Sequence, residues 1–483
     1  MRSLSFGELR PRLPRRTVLG ATAATALGAA APARSAAEVP LPPYAGRPRT
    51  PPDAEVALQV RAELVHSWEG YKQAAWGYDE LRPLSAGRND FFLPGRTFGL
   101  SIVEALDTLY VMELDDEVAL AADWIEQHLD PAVDGDIQVF EAVIRLVGGL
   151  LAGYLCTGRR RLLKRCRELA DRLLPAFTAS PTGIPYTHVN LCTGEVSGTT
   201  PPLAEAGSNI LEFGLLSRLT GDNRYYDAAK RVYRTILDRR SSLDLLGTVI
   251  DTETGRWIDD TSCAPNPPVD SFYEYLWAGA ELFGDRELAD WYRLLTDAVL
   301  RVQGERRGGH LWFREVDRTT GAVVARGQSE LAAFYAGLLG KGGDLEAGQD
   351  YYRSWVTLLD RYPVLPEAVD FADLRVTSPR NDLRPECVNA AFDLWRLTGN
   401  ARYKHTAYRS FQGMRDHLRV PGGYTVAVDM TATPVRLGNL MPGYWLAENL
   451  KYLYLMFADS PRFDHRTGLL STEGKILRGA VRP

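Results

Sequence analysis

A short breaker of one type returns along this chain each time an apolar helical stretch ends. The instances are Leu114-Asp115-Asp116, Cys156-Thr157-Gly158, Leu219-Thr220-Gly221-Asp222, Leu282-Phe283-Gly284-Asp285, Gly342-Gly343-Asp344, Leu397-Thr398-Gly399-Asn400 and Phe457-Ala458-Asp459. After the first interval they stand roughly 60 residues apart, the span of two helices with their loops. Glycine stops one helix and Asp or Asn caps the next, so each breaker predicts the tight turn of a helical hairpin. Seven such hairpins predict an all-α chain closed into a ring of paired helices. The hairpins alone leave two uses open: a toroid whose inner helices surround a pocket, and a helical-repeat scaffold that binds a partner. Loops such as Thr182-Gly183-Ile184-Pro185-Tyr186 and Gly321-Ala322-Val323-Val324 predict small β-hairpins at one end.

Upstream of the ring, Arg15-Arg16-Thr17-Val18-Leu19-Gly20 runs into a small, apolar stretch from Ala21 to Ala33. Residues 1–36 therefore read as a twin-arginine export signal. The stretch falls short of the ~20 strongly apolar residues of a membrane span, so no stable span is expected. Residues 37–52 are rich in proline and read as an extended tether, which leaves residues 53–483 as one folded domain. A net charge of -5 argues against a nucleic-acid partner. Five scattered cysteines without a CxxC pair leave at least one unpaired in a monomer and permit a disulfide whose members spacing does not identify. No HExxH, Walker A, GxSxG or GxGxxG pattern appears, which sets aside zinc, nucleotide and serine-hydrolase chemistry.

Acids recur at comparable places in the repeats. In Phe140-Glu141-Ala142-Val143-Ile144-Arg145 the acid and the arginine are four apart and share one helix face. The apolar run that follows, with Gly148-Gly149 for close packing, predicts a helix buried on several sides rather than one bearing a surface ion pair. A carboxyl at the mouth of such a helix gains the raised pKa a general acid needs. Asp270, after Pro267-Pro268-Val269, fits a helix N-cap. Glu386 in Leu383-Arg384-Pro385-Glu386 stands at another helix start, where the dipole favours it. Glu448 lies in the apolar stretch Leu446-Ala447-Glu448-Asn449-Leu450, where an unpaired carboxylate is costly and a functional role is favoured.

In order, Ser101-Ile102-Val103-Glu104-Ala105-Leu106-Asp107-Thr108-Leu109, Phe140-Glu141 with Arg145, Asp270-Ser271-Phe272-Tyr273-Glu274, Leu383-Arg384-Pro385-Glu386, Ala447-Glu448-Asn449-Leu450-Lys451 and Ser471-Thr472-Glu473-Gly474 closely resemble glycoside hydrolase family 47, the class I α-mannosidases. Trp76-Gly77-Tyr78-Asp79-Glu80, Leu365-Pro366-Glu367-Ala368 and Thr472-Glu473-Gly474 look most like the branch of ER degradation-enhancing mannosidase-like proteins. The resemblance implies an (α/α)7 barrel, an α-mannoside glycan as substrate, and calcium-dependent, inverting cleavage of α-1,2-linked mannose. It makes Glu141 the acid, Glu386 the base and Asp270 a third catalytic carboxylate. Arg145, Arg384, Glu448, Glu473 and Glu330 fall to substrate binding, and Thr472 to calcium. The chain departs from the family where Glu330, Ala333, Pro268, Asn389, Gly443 and Lys475 replace common residues, so the outer subsites differ. Two alternatives stay open: a toroidal inverting glycosidase of another sugar or linkage, and a mannose-glycan-binding homologue with weak turnover. A monomer is expected.

Overall fold

The computed structural model describes residues 50–482; the expected export signal and most of the tether lie outside the described residues. Two kinds of helix alternate, and burial separates them. Arg160–Leu173 buries Leu162, Cys166, Leu169, Ala170 and Leu173 on one stripe and turns its arginines outward, the pattern of a helix with one wet face. Leu100–Val111 is buried at every residue, Glu104 and Asp107 included, as only a helix enclosed on all sides can be. The outer set consists of Asp53–Ala75, Asp115–His128, Arg160–Leu173, Arg224–Leu237, Arg286–Val302, Leu345–Leu359 and Ala401–Leu418. The inner set is Leu100–Val111, Val139–Thr157, Ile210–Thr220, Asp270–Phe283, Tyr335–Lys341, Glu386–Thr398 and Leu450–Phe457. Seven inner and seven outer helices form an all-α (α/α)7 barrel.

The first six breakers are the tight turns foreseen. Gly284 and Gly399 take the left-handed conformation that ends a helix, with φ of 66° and 69°. Asp285 and Asp344 then accept the backbone N–H of Leu288 and Ala347 as N-caps. The seventh breaker differs. Among the described residues no helix follows Phe457; the last inner helix packs instead against Asp53–Ala75, the first described helix, and so closes the ring. Trp445 Nε1 donates to Ser67 Oγ at 3.0 Å across that seam. The freed C-terminal segment turns into the lumen as a hairpin, Leu469–Leu470 against Ile476–Arg478, whose Lys475 and Ile476 are fully buried.

Tight turns occupy one end of the ring and long connections the other. The long connections carry the small sheets. Glu315–Asp317 pairs with Val323–Ala325 around Gly321 as expected, whereas residues 182–186 form an irregular loop leading into the sheet that joins Asp136–Gln138, His188–Asn190 and Val196–Ser197. Among the described residues one helix, Val139–Thr157, is long and apolar enough to span a membrane, yet it is 83% buried inside the ring. The five cysteines are free, four buried and Cys192 exposed, so the disulfide allowed by the sequence is not formed.

Candidate active site

Every inner helix begins at the end of the ring that bears the long connections. Acids placed at inner-helix starts therefore converge there. A cavity of about 260 Å³ opens among them, lined by Glu141, Arg145, Asp270, Arg384, Glu386, Glu448, Thr472 and Glu473 together with Glu205, Glu274, Asn389 and Tyr444. Eight of the nine residues singled out from the sequence are thus brought together. Thr472 and Glu473 come from the opposite end, carried into the lumen on the tip of the C-terminal hairpin. A second cavity of about 560 Å³ at the tight-turn end shares only Glu274 and Asn389 with the first.

Two acid-bearing helices are locally irregular. Ala142–Val147 and Trp445–Asn449 are π-helical turns, a distortion often found at functional sites, directly after Glu141 and around Glu448. Arg145 stands in the first of these. Its Nε donates to Glu141 Oε2 at 2.5 Å, and its Nη1 to Glu473 Oε2 at 2.8 Å and to Glu104 Oε1 at 2.9 Å. The pair Glu141–Arg145 is therefore part of a buried network and not a surface ion pair. Close approach of the neighbouring inner helix depends on Gly149, where a Cβ would stand 2.6 Å from Val103 Cγ1.

Asp270 is itself the first residue of its helix, with Val269 in the capping position and no side-chain cap, so the expected N-cap is not formed. Burial pushes its carboxyl up to about 6, opposed by the Ser271 backbone N–H and the Arg384 charge. Glu386 opens the next acid-bearing helix. Burial pushes it up to about 8 against the pull of Arg384, and its Oε2 is buried without a hydrogen-bond partner. Glu473 is raised to about 7 by burial, opposed chiefly by Arg145. Glu448 is held well above the usual carboxylate range by burial and then by the like charges of Glu473 and Glu386. Arg384 is fixed by Glu367, with Nη2 to Oε1 at 2.9 Å, and stands against the Tyr444 ring.

Glu330 is the exception. It opens a 3-10 turn, is 2% exposed, and accepts Asn381 Nδ2 at 2.9 Å. It lies behind Arg384 and Cys387, in a small separate cavity, and does not line the site. Sequence reasoning assigned no role to several residues that matter here. Glu274 lies one helical turn after Asp270 and faces the same cavity, a spacing that was there to be read. Glu104 offered the signal that marked Glu448, a carboxylate inside a largely apolar helix. Glu205, on the short helix Leu203–Gly207, accepts Gln138 Nε2 at 3.0 Å and had no distinguishing signal.

The fold and site define a toroidal α/α enzyme with a carboxylate centre at one mouth. Comparison with known proteins makes the class specific. The profile of glycosyl hydrolase family 47 matches residues 63–479. Mannosyl-oligosaccharide 1,2-alpha-mannosidase MNS1 of Arabidopsis thaliana is 32% identical over 470 residues, 92% of this chain and 82% of its own. ER degradation-enhancing alpha-mannosidase-like protein 2 of Mus musculus is 31% identical over 469 residues, 91% of this chain and 78% of its own. Among solved structures, the alpha-1,2-mannosidase from Trichoderma reesei superposes with a TM-score of 0.81 at 25% identity, over 90% of this chain and all of that one. The chain belongs to glycosyl hydrolase family 47 and is a glycoside hydrolase.

Proposed function

We propose that the chain is an exo-acting α-mannosidase that cleaves terminal α-1,2-linked mannose from glycans with inversion, aided by calcium. The observation that carries this reading is the convergence of Glu141, Asp270 and Glu386 with Arg145, Glu448, Glu473 and Thr472 in one cavity. The hairpin-tip residues Thr472 and Glu473 line the cavity inside the ring, an arrangement that suits the end of a glycan chain and favours exo action. Inversion needs an acid on one side of the glycosidic oxygen and a base for water on the other, with the carboxyls ~6.5–9.5 Å apart. In this reading Glu141 protonates the leaving oxygen, Glu386 takes the proton of the attacking water, and Asp270 balances the charge developing on the sugar ring. Arg145, Glu448 and Glu473 hold the hydroxyls of the terminal sugar.

A second reading exchanges the two roles, and one observation favours it. Glu386 is the acid that burial pushes towards keeping its proton, while Glu141 is salt-bridged to Arg145. Alanine variants separate the two, because loss of the acid spares aryl mannosides with good leaving groups and loss of the base does not.

The residues present suit a hard cation. The cavity lining holds seven carboxyls against two guanidinium groups, and the Thr472 hydroxyl adds an oxygen donor beside Glu274. Among the described residues no three His, Cys, Asp or Glu side chains form a ligand cage, so Thr472 and water oxygens would make up the shell. Bound there, calcium would supply positive charge that favours the ionised form of nearby carboxyls. The Arg15-Arg16 segment supports export of the enzyme.

The test is α-1,2-mannobiose followed by proton NMR at the anomeric positions. β-Mannose appearing first, lost with chelator and regained with calcium, is the expected outcome. Turnover of a different α-linkage or sugar would move the assignment to another inverting glycosidase. Binding without turnover by folded, calcium-loaded protein would make it a glycan-binding homologue.

A further inference from the structure

Arg145 is held by three carboxylates, and they are not equivalent. Glu141 and Glu473 line the cavity, where a sugar competes for them. Glu104 does not line it. It is fully buried in the enclosed helix Leu100–Val111 and reaches Arg145 Nη1 from behind at 2.9 Å. Lys475 Nζ lies 3.8 Å from the same Oε1 and also donates to the Glu104 carbonyl at 3.2 Å. The other oxygen, Oε2, has no partner and points at Gly443, where a Cβ would stand 1.7 Å away. The carboxylate thus fills the space that any side chain at position 443 would need.

We infer that Glu104 is a positioning residue that fixes Arg145 from behind the cavity wall, and through it Glu141, in the space left open by Gly443. Of the three anchors it alone stays put when substrate arrives. Without it the guanidinium is tethered only to groups that the reaction itself engages. Its plane is then free to swing, and Glu141, bonded to Nε, moves with it. Arg145 is one of several groups that hold the sugar, whereas in this reading Glu141 alone protonates the leaving oxygen, so the loss falls chiefly on turnover and only slightly on binding.

The inference rests on the α-mannosidase reading, and α-1,2-mannobiose is the substrate for its test. Glu104→Gln is expected to lower kcat about 100-fold with KM within about 3-fold of wild type. Gly443→Ser, which displaces the carboxylate without removing its charge, should show the same split. The decisive variant is Glu104→Ala combined with Gly443→Ser, where the serine occupies the vacated volume. Its melting temperature should return towards wild type while kcat stays low. Recovery of kcat together with stability would reduce Glu104 to a packing role and overturn the inference, as would a Glu104→Gln enzyme with kcat within about 3-fold of wild type. Wild-type protein inactive on every α-mannoside would refute the mannosidase reading and this inference with it; an active wild type with indifferent variants would refute the inference alone.

Discussion

Lys451 is the perturbation whose consequences the structure states most sharply. It is fully buried in the last inner helix, and Asp107, its partner in the first, is 1% exposed. Its Nζ donates to both Asp107 oxygens at 2.8 Å and to the Gly474 carbonyl at 2.6 Å, while Asp107 Oδ2 also accepts the Ile476 N–H at 2.9 Å. One cation therefore ties two inner helices to the hairpin that carries Thr472 and Glu473. Replacing it by methionine keeps most of the volume but leaves Asp107 charged and enclosed, with one backbone donor. Breaking a buried pair in this way costs about 3–5 kcal/mol, most of it the price of the stranded charge. Neutralising the partner should undo that part, so Lys451→Met with Asp107→Asn should recover at least half of the loss, the amide oxygen still accepting from Ile476. Urea unfolding followed by circular dichroism measures both variants, and α-1,2-mannobiose turnover reports on the hairpin. A single variant within about 1 kcal/mol of wild type, or a double variant no more stable than the single, would refute the reasoning.

Three further outcomes are expected. Burial pushes Glu212 up to about 8, so between the unfolded value near 4.3 and pH 8 the folded chain keeps a proton that the unfolded chain has released. Stability should fall over that window by on the order of 5 kcal/mol, and Glu212→Gln should flatten the fall; urea midpoints at pH 5 and 8 that are unchanged by the variant would exclude it. Chelation should lower the melting temperature as well as abolish turnover, since a ligand at about 100 times its Kd adds about 2.7 kcal/mol; full turnover and an unshifted transition in chelator would exclude calcium. Gly149→Ala should destabilise by about 1–3 kcal/mol despite alanine's better helix propensity, because the new Cβ meets the Val103 carbonyl at 2.9 Å, and a neutral result in denaturant unfolding would contradict that contact.

The ring was legible because its signals are local. Glycine stops and Asx caps lie within a few residues of the turns they make, and six of the seven breakers became hairpins. The seventh failed for a reason no local signal carries. The partner of Leu450–Phe457 is the helix Asp53–Ala75 at the other end of the chain, and closure of a ring is a statement about that distance. Glu330 failed differently. It was assigned to the site at a position where it replaces a common family residue, but the 3-10 turn from Glu330 to Phe334 and the Asn381 amide set its side chain behind Arg384. Side-chain direction in such a turn follows neither the 3.6 nor the 2.0 period on which sequence reading rests.

Charged residues inside apolar helices carried more information than sequence reasoning took from them. Glu104, Asp107, Glu212, Glu448 and Lys451 each sit in an inner helix and are each almost wholly buried. No neighbour on its own helix face compensates such a charge, so the compensation comes from another part of the chain. Lys451 finds Asp107 and Glu104 finds Arg145, whereas Glu212 escapes the charge by keeping its proton and accepts the Tyr275 hydroxyl at 2.8 Å. Glu448, held up first by burial, feels the carboxyls of Glu473 and Glu386 more strongly than the opposing Lys475 and Arg145, and it faces the cavity. The distinction is physical: a buried charge with an opposite partner holds the ring together, whereas one crowded by its own sign costs stability. Only the second needs an external reason to persist, and the cavity beside Thr472 is where that reason would bind.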